Sequence, residues 1–291
     1  LLALVLVVGA EIGGARRWIN LGILNLQPSE LAKLALINFL ATYAAFVRER
    51  LHHFLAGLFP AVAVVGVVAG LIVLEPDFGT AAALAATGFM ILFAAGARIA
   101  HLGLLGLLVL PVDGLLIWME PYRVRRLMAF IDPWADKMDS GWNVIQSLLA
   151  IGSGGLFGLG LGQGRQKYLY VPEQHTDFIF AILGEELGFL GAVTVLFLFF
   201  VLAWRGYRAA LQAPDLFGTL LATGITSMIV FQALLNIGVA TGSLPVTGIT
   251  LPFISFGGSS LVVTLASVGI LLSISRRART PAAGWTEENP A

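Results

Sequence analysis

LFGTLLATGITSMIVFQALLNIGVATGSLPVTGITLPFISFGGSSLVVTLASVGILLSIS, residues 216–275, contains no Asp, Glu, Lys, Arg or His. About 20 apolar residues cross a bilayer core, so this run is too long for one helix. Gly242, Pro245, Gly248, Pro252 and Gly257 interrupt it midway. It predicts two membrane-spanning helices, 216–240 and 258–275, around a Pro/Gly-rich loop. Further runs of spanning length lie outward from it at Leu31–Val47, Phe54–Leu74, Phe78–Ala97, Ile99–Met119 and Phe178–Trp204. The opening run Leu1–Val8 is too short to cross and adds a partial segment. Lipid offers the backbone no hydrogen-bond partners, so the spans must be helices rather than open sheet. The fold class is an all-α, polytopic transmembrane helix bundle of about seven to eight helices, with a large loop at 120–177.

Composition agrees. Of 291 residues, 58% are hydrophobic and 12% charged, against roughly a quarter charged in a soluble domain. Lys plus Arg equals Asp plus Glu at 17 each, which removes the electrostatic footprint of a nucleic-acid-binding protein. The absence of cysteine excludes disulfides and thiolate metal sites. A chain that opens on Leu1 inside an apolar run reads as a piece of a longer protein.

Basic residues beside the spans set the orientation. Arg48, Arg50, Arg98, Arg205, Arg208, Arg276, Arg277 and Arg279 fall on one side, whereas the short loops opposite hold only Arg16 and Arg17. The first side is therefore cytoplasmic, and segments 11–28, 120–177 and 242–257 lie outside. Residues 1–279 form one transmembrane domain, and the polar tail 280–291 is expected to be a disordered cytoplasmic end.

The outer segments carry the candidate chemistry. Arg123, Arg125, Arg126, Lys137, Arg165 and Lys167 join Arg16 and Arg17 on the face that topology signals usually leave poor in cations. An anionic ligand explains them, and so does neutralisation by Glu120, Asp132, Asp136, Asp139 and Glu173. The run GSGGLFGLGLGQG at 152–164 resembles a phosphate cradle, but its spacing fits neither dinucleotide fingerprint nor P-loop. No nucleotide is expected, and close backbone packing or a re-entrant bend is the alternative. Glu173, His175 and Asp177 then cluster just before the apolar run at Phe178. Asp177, at the start of a helix whose dipole favours an anion, is a candidate base or hard-cation ligand, or else an N-cap. Glu30, Lys33, Asp113, Glu185 and Glu186 lie within spans, where ionisable residues are costly. Glu30 and Lys33 are spaced to pair on one helix face, Glu185 should face the bundle, and Trp18 suits an interfacial anchor.

Together, GARRWINLG at 14–22, QPSELAKL at 27–34, EPDFGTA at 75–81, RQKYLYVPEQHTDFIFAILGEELGFLG at 165–191 and LPVTGITLPFISFGGSS at 244–260 resemble the SEDS family (shape, elongation, division and sporulation). EPYRVRRLMAFIDPW at 120–134 is closer to the FtsW and SpoVE branch than to RodA. The resemblance implies a fold of ten helices, of which the first two are missing here. It implies a peptidoglycan glycosyltransferase that polymerises lipid II into β-1,4 glycan strands during division or sporulation. The place of action would be the extracytoplasmic face of a bacterial plasma membrane. The implied partners are a class B penicillin-binding transpeptidase and other division-machinery proteins. Asp177 matches the family's essential acid and could also hold a divalent cation, Mg or Mn. Arg16, Arg17, Trp18, Glu30, Lys33, Arg123, Arg126, Lys167, Glu173, His175, Glu185 and Ser259 are the expected substrate-binding residues. A lipid II transporter or a non-catalytic division scaffold remain the alternatives.

Overall fold

A computed structural model describes residues 1–12, 15–20, 25–137, 141–164 and 177–278. After the short helix α1 (Leu2–Val8), the outer segment folds into strands β1 (Ala10–Ile12), β2 (Ala15–Asn20) and β3 (Asn25–Leu26), antiparallel in the order β1-β2-β3. Apolar-run counting gives no sign of this small sheet, because its strands are short and carry Arg16 and Arg17. Helix α2 (Pro28–Val47) begins with proline at its first position, where a missing N–H costs nothing. Helices α3 (Phe59–Leu74), α4 (Phe78–Ala94) and α5 (Ile99–Trp118) follow. Two shorter helices, α6 (Pro121–Ile131) and α7 (Trp142–Ser153), occupy part of the large loop. Helices α8 (Ile179–Leu211), α9 (Leu216–Ala240) and α10 (Gly258–Ala278) complete the bundle. Among the described residues six helices are long and apolar enough to cross a membrane, and α4 is a shorter apolar helix beside them.

Helix α9 is the axis. Most of its surface is buried, and it packs against α2, α4, α8 and α10. A helix enclosed on most sides, and facing lipid elsewhere, has no face on which charge could be solvated, which is why residues 216–240 lack it. A Cβ on Gly224 would lie 2.6 Å from Ile37 and 2.7 Å from Ile91, so α9 approaches α2 and α4 closely there. Leu40, Leu84, Ile91, Leu220 and Ile225 fill the resulting core.

Helix α8 breaks at Gly188, where φ is 69° and ψ −168°. The break frees backbone groups that the membrane cannot satisfy, and the glycine run takes them up. Leu159 N–H donates to Glu185 O and Gly160 N–H to Glu186 O, both at 3.0 Å. In return Phe189 N–H donates to Gly155 O at 2.8 Å and Leu190 N–H to Leu156 O at 3.2 Å. These contacts demand glycine: a Cβ on Gly154 would lie 2.0 Å from Gly184 O, and one on Gly158 2.2 Å from Glu186 O. The run thus packs backbone to backbone against the break in α8, and the amides of Gly158, Leu159 and Gly160 are spent on carbonyls rather than left for phosphate. Gly158 also sits at φ 80°. We therefore expect Gly158→Ala to destabilise the protein by about 3 kcal/mol or more through strain and collision. Thermal melting in detergent measures this, and an unchanged Tm would refute the docking.

Candidate functional site

The β-sheet, the C-terminal end of α3, the N-terminal ends of α4 and α8, the C-terminal end of α9 and helix α6 meet at one end of the bundle. The turn between α3 and α4, Glu75-Pro76-Asp77, is their junction. Arg17 on β2 donates through Nε to the Glu75 carbonyl at 2.7 Å and through a terminal nitrogen to the Pro76 carbonyl. Asp77 caps α4, its Oδ1 accepting from Thr80 N–H at 3.1 Å. Arg123 on α6 stacks over the Phe78 ring at 4.1 Å and donates to Leu116 O at 2.7 Å. Arg126 donates to Val246 O at 3.2 Å and lies 5.0 Å from the Tyr122 ring. A Cβ on Gly79 would collide with Ile249 and Thr247, so loop 242–257 lies directly against the start of α4.

Asp177 stands on the other wall of this junction, partly exposed. It is not the N-cap of α8: Phe178 holds that position, and its side chain makes no capping hydrogen bond. Gly248, at φ 78°, faces the Asp177 carboxylate, with Oδ2 3.7 Å from where a Cβ would sit. Behind both, the buried Asn236 amide of α9 donates to Asp177 O at 2.9 Å and to Ile249 O at 2.7 Å.

The expected substrate-binding residues separate into groups. Arg17, Arg123 and Arg126 converge near the α3–α4 turn, and each guanidinium already holds a backbone carbonyl. Arg16 on the same strand is exposed and Trp18 is partly buried. Ser259 ties the start of α10 to the sheet, donating to Asn25 O at 2.7 Å and accepting from Gln27 N–H at 3.3 Å. Glu30 and Lys33 form an ion pair at 2.7 Å, both buried. They line a crevice with Gln232, Thr264 and Ser267, below the end where Asp177 lies. Glu185 is buried, its carboxylate tucked against Gly164 at the end of the glycine run. Lys167, Glu173 and His175 lie outside the described residues. Among the described residues no group of three or more His, Asp or Glu side chains converges. Glu173 and His175, which would complete a hard-cation site with Asp177, are outside that set, and the chemistry proposed for Asp177 rests on its carboxylate.

Four residues at this junction escape a reading of isolated residues: Glu75, Asp77, Asn236 and Gly248. The available signal was a pair of acids two apart between apolar runs, and an amide in a span without charge. Glu75 is wholly buried, and neither carboxylate oxygen has a hydrogen-bond partner. Burial, and then the neighbouring Asp77, push its pKa from the ordinary 4.5 up to about 7, while Arg17 opposes the rise. Well below pH 4.5 folded and unfolded chains both keep this proton, so ionisation adds no cost to its burial. Between 4.5 and about 7 only the unfolded chain releases it, and stability falls; above about 7 the loss is complete. Glu75→Gln should recover about 2 kcal/mol of that loss at pH 8 and none at about pH 3. Parallel Tm–pH curves for the two proteins would disprove it.

Against this geometry, the sequence profile described as cell cycle protein, FtsW/RodA/SpoVE, matches residues 1–280. The chain belongs to the FtsW/RodA/SpoVE family. It is 51% identical over 281 residues to stage V sporulation protein E of Bacillus subtilis (strain 168), covering 96% of this chain and 77% of that relative. It is 46% identical over 281 residues to the probable peptidoglycan glycosyltransferase FtsW of Geobacter sp. (strain M18), with the same coverage. Among solved structures, a chain from a peptidoglycan synthase complex that coordinates polymerization and crosslinking aligns with a TM-score of 0.76 at 38% identity, over 96% of this chain and 79% of that one. The rod shape determining protein RodA of Thermus thermophilus aligns with a TM-score of 0.64 at 36% identity, over 96% and 75%. This family member is thus a multi-pass helical membrane protein, as its run lengths predict, and its cell-wall role agrees with the resemblance read from its motifs.

Proposed function

We propose that this protein is a peptidoglycan glycosyltransferase that polymerises lipid II into β-1,4 glycan strands on the extracytoplasmic face of a bacterial plasma membrane. It would work beside a class B penicillin-binding transpeptidase. The observation that carries the reading is Asp177: a carboxylate just before a helix N-terminus, over Gly248, at the end of the bundle where Arg17, Arg123 and Arg126 also gather. In the reaction the acceptor hydroxyl oxygen attacks the anomeric carbon of the donor sugar. The bond from that carbon to the diphosphate breaks, and the diphosphate leaves with the electron pair. The hydroxyl proton passes to the Asp177 carboxylate. A diphosphate is already a good leaving group, so the reaction needs a base more than an acid, with cations against the departing charge. Attack opposite the leaving group inverts an α-linked donor to a β link.

Transporters place substrate and ion groups near the bilayer midplane on discontinuous helices. Helix α8 is discontinuous, yet the glycine run saturates its break, and Glu30 and Lys33 satisfy each other. That favours the enzyme over a lipid II transporter. Mixing the purified protein with lipid II, with and without the transpeptidase, and resolving glycan polymer on a gel tests the reading. Absence of polymer in both mixtures refutes it. On the same reading, a thiol placed at the exposed Lys137 of the large loop in this cysteine-free chain should react with an impermeant reagent from outside the cell, and one at the exposed Arg205 only after permeabilisation. The reverse pattern would put the site in the cytoplasm.

A further inference from the structure

We propose that Asn236 is the positioning residue for Asp177, the joint that fixes the carboxylate over Gly248; this rests on the glycosyltransferase reading above. Asn236 is wholly buried in the charge-free helix α9. An amide there is expensive unless hydrogen-bonded, and the two N–H groups of Nδ2 are committed in a particular way. One holds the carbonyl of Asp177 at 2.9 Å, the other that of Ile249 at 2.7 Å. The first carbonyl is that of the residue bearing the carboxylate, and the second belongs to the residue directly after the left-handed Gly248 that faces it. One side chain on the central helix therefore sets the separation between the start of α8 and loop 242–257. Among uncharged side chains only a primary amide, with two diverging N–H groups on one nitrogen, can bridge two carbonyl oxygens in this way, and a charge would be costly in the centre of α9. Its own Oδ1 is buried without a donor, as is Thr247 Oγ1 in the same loop. Both are acceptors left open beside the proposed site.

A side chain that never touches the reacting atoms acts through the geometry of the one that does. Misplacing a catalytic group by about 1 Å costs roughly 10²-fold, so Asn236→Ala should lower kcat about 10- to 100-fold while KM for lipid II moves little. Asn236→Asp keeps the volume but sets a carboxyl group against two carbonyl oxygens, and should behave like alanine. The deciding measurement is a double-mutant cycle on the full-length protein with its transpeptidase, reading polymer formed from lipid II. If Asn236 works through Asp177, Asn236→Ala costs nothing further once Asp177→Asn is in place. Equal fold-losses in both backgrounds, or an unchanged kcat in the single variants, overturn the proposal. Hydrogen–deuterium exchange supplies a readout independent of activity. Both Asn236 variants should raise exchange in peptides spanning 177–184 and 246–251 while α4 stays protected. Unaltered exchange in those peptides overturns the joint even if turnover falls. Failure of wild-type protein to make polymer refutes instead the enzymatic reading, and full activity of Asp177→Asn refutes the assignment of the base to Asp177; the exchange experiment touches neither.

Discussion

Asp177→Asn should cut glycan polymerisation by at least the roughly 10²-fold typical of lost acid–base catalysis, with expression, melting temperature and transpeptidase binding retained. An amide has nearly the carboxylate's shape, so the pocket over Gly248 still accommodates it, with Oδ2 replaced by an atom of similar size. The backbone carbonyl that Asn236 holds is unaffected by the substitution. No helix-capping role is lost either, because Phe178 occupies the cap position of α8. The substitution should therefore leave a folded protein whose loss of turnover far exceeds any change in stability. An amide cannot take up the acceptor's proton, so the whole loss should appear in kcat. Near-normal polymer from a well-folded Asp177→Asn protein would transfer the base to Glu173 or Glu185.

The spans were legible because the membrane imposes a coarse rule. A length of about 20 residues without charge is almost sufficient to identify a crossing, and 216–275 divides at its glycines and prolines as α9 and α10 do. The three-stranded sheet was not legible: β2 carries Arg16, Arg17 and Asn20, and its strands owe their order to pairing with one another rather than to an apolar period. The glycine run illustrates a subtler limit. Its composition fits a phosphate cradle and a close backbone contact equally well, and only the break at Gly188, 24 residues beyond Gly164, decides between them. A helix break has no local signature when its partner lies elsewhere in the chain.

The site was legible in its charges and not in its joints. Asp177, Arg17, Arg123 and Arg126 stand out because ionised groups are rare in an apolar chain. Asn236 and Gly248 do not, since an amide and a glycine in apolar sequence have many ordinary uses. Glu75 is similar: beside Pro76 it reads as an exposed turn acid, whereas the folded chain buries it under Arg17. Such residues acquire meaning only when α3, α4, α8 and α9 have brought their ends together.

Lys33→Met should destabilise the protein by about 3–5 kcal/mol, the cost of stranding one member of a buried ion pair. Lys33 and Glu30 are each almost fully buried, and Lys33 Nζ lies 2.7 Å from Glu30 Oε1. Removing the ammonium leaves a carboxylate among Ile37, Met228, Ile229 and Val263, with only the polar groups of Gln232, Thr264 and Ser267 near the crevice. Glu30→Gln should be costly in the same way, because it leaves the ammonium. The double variant Glu30→Gln/Lys33→Met leaves no buried charge in this crevice, and replacing a whole ion pair by uncharged groups of similar volume is often neutral. Its melting temperature should therefore return most of the way to wild type, giving a strong favourable coupling in the cycle. That rescue separates two roles that the single variants confound. A pair that only neutralises itself within the bundle predicts that turnover of lipid II recovers along with Tm. A pair whose charges also contact the diphosphate predicts recovered Tm with turnover still lost. Additive losses of stability in the double variant would refute the ion pair itself.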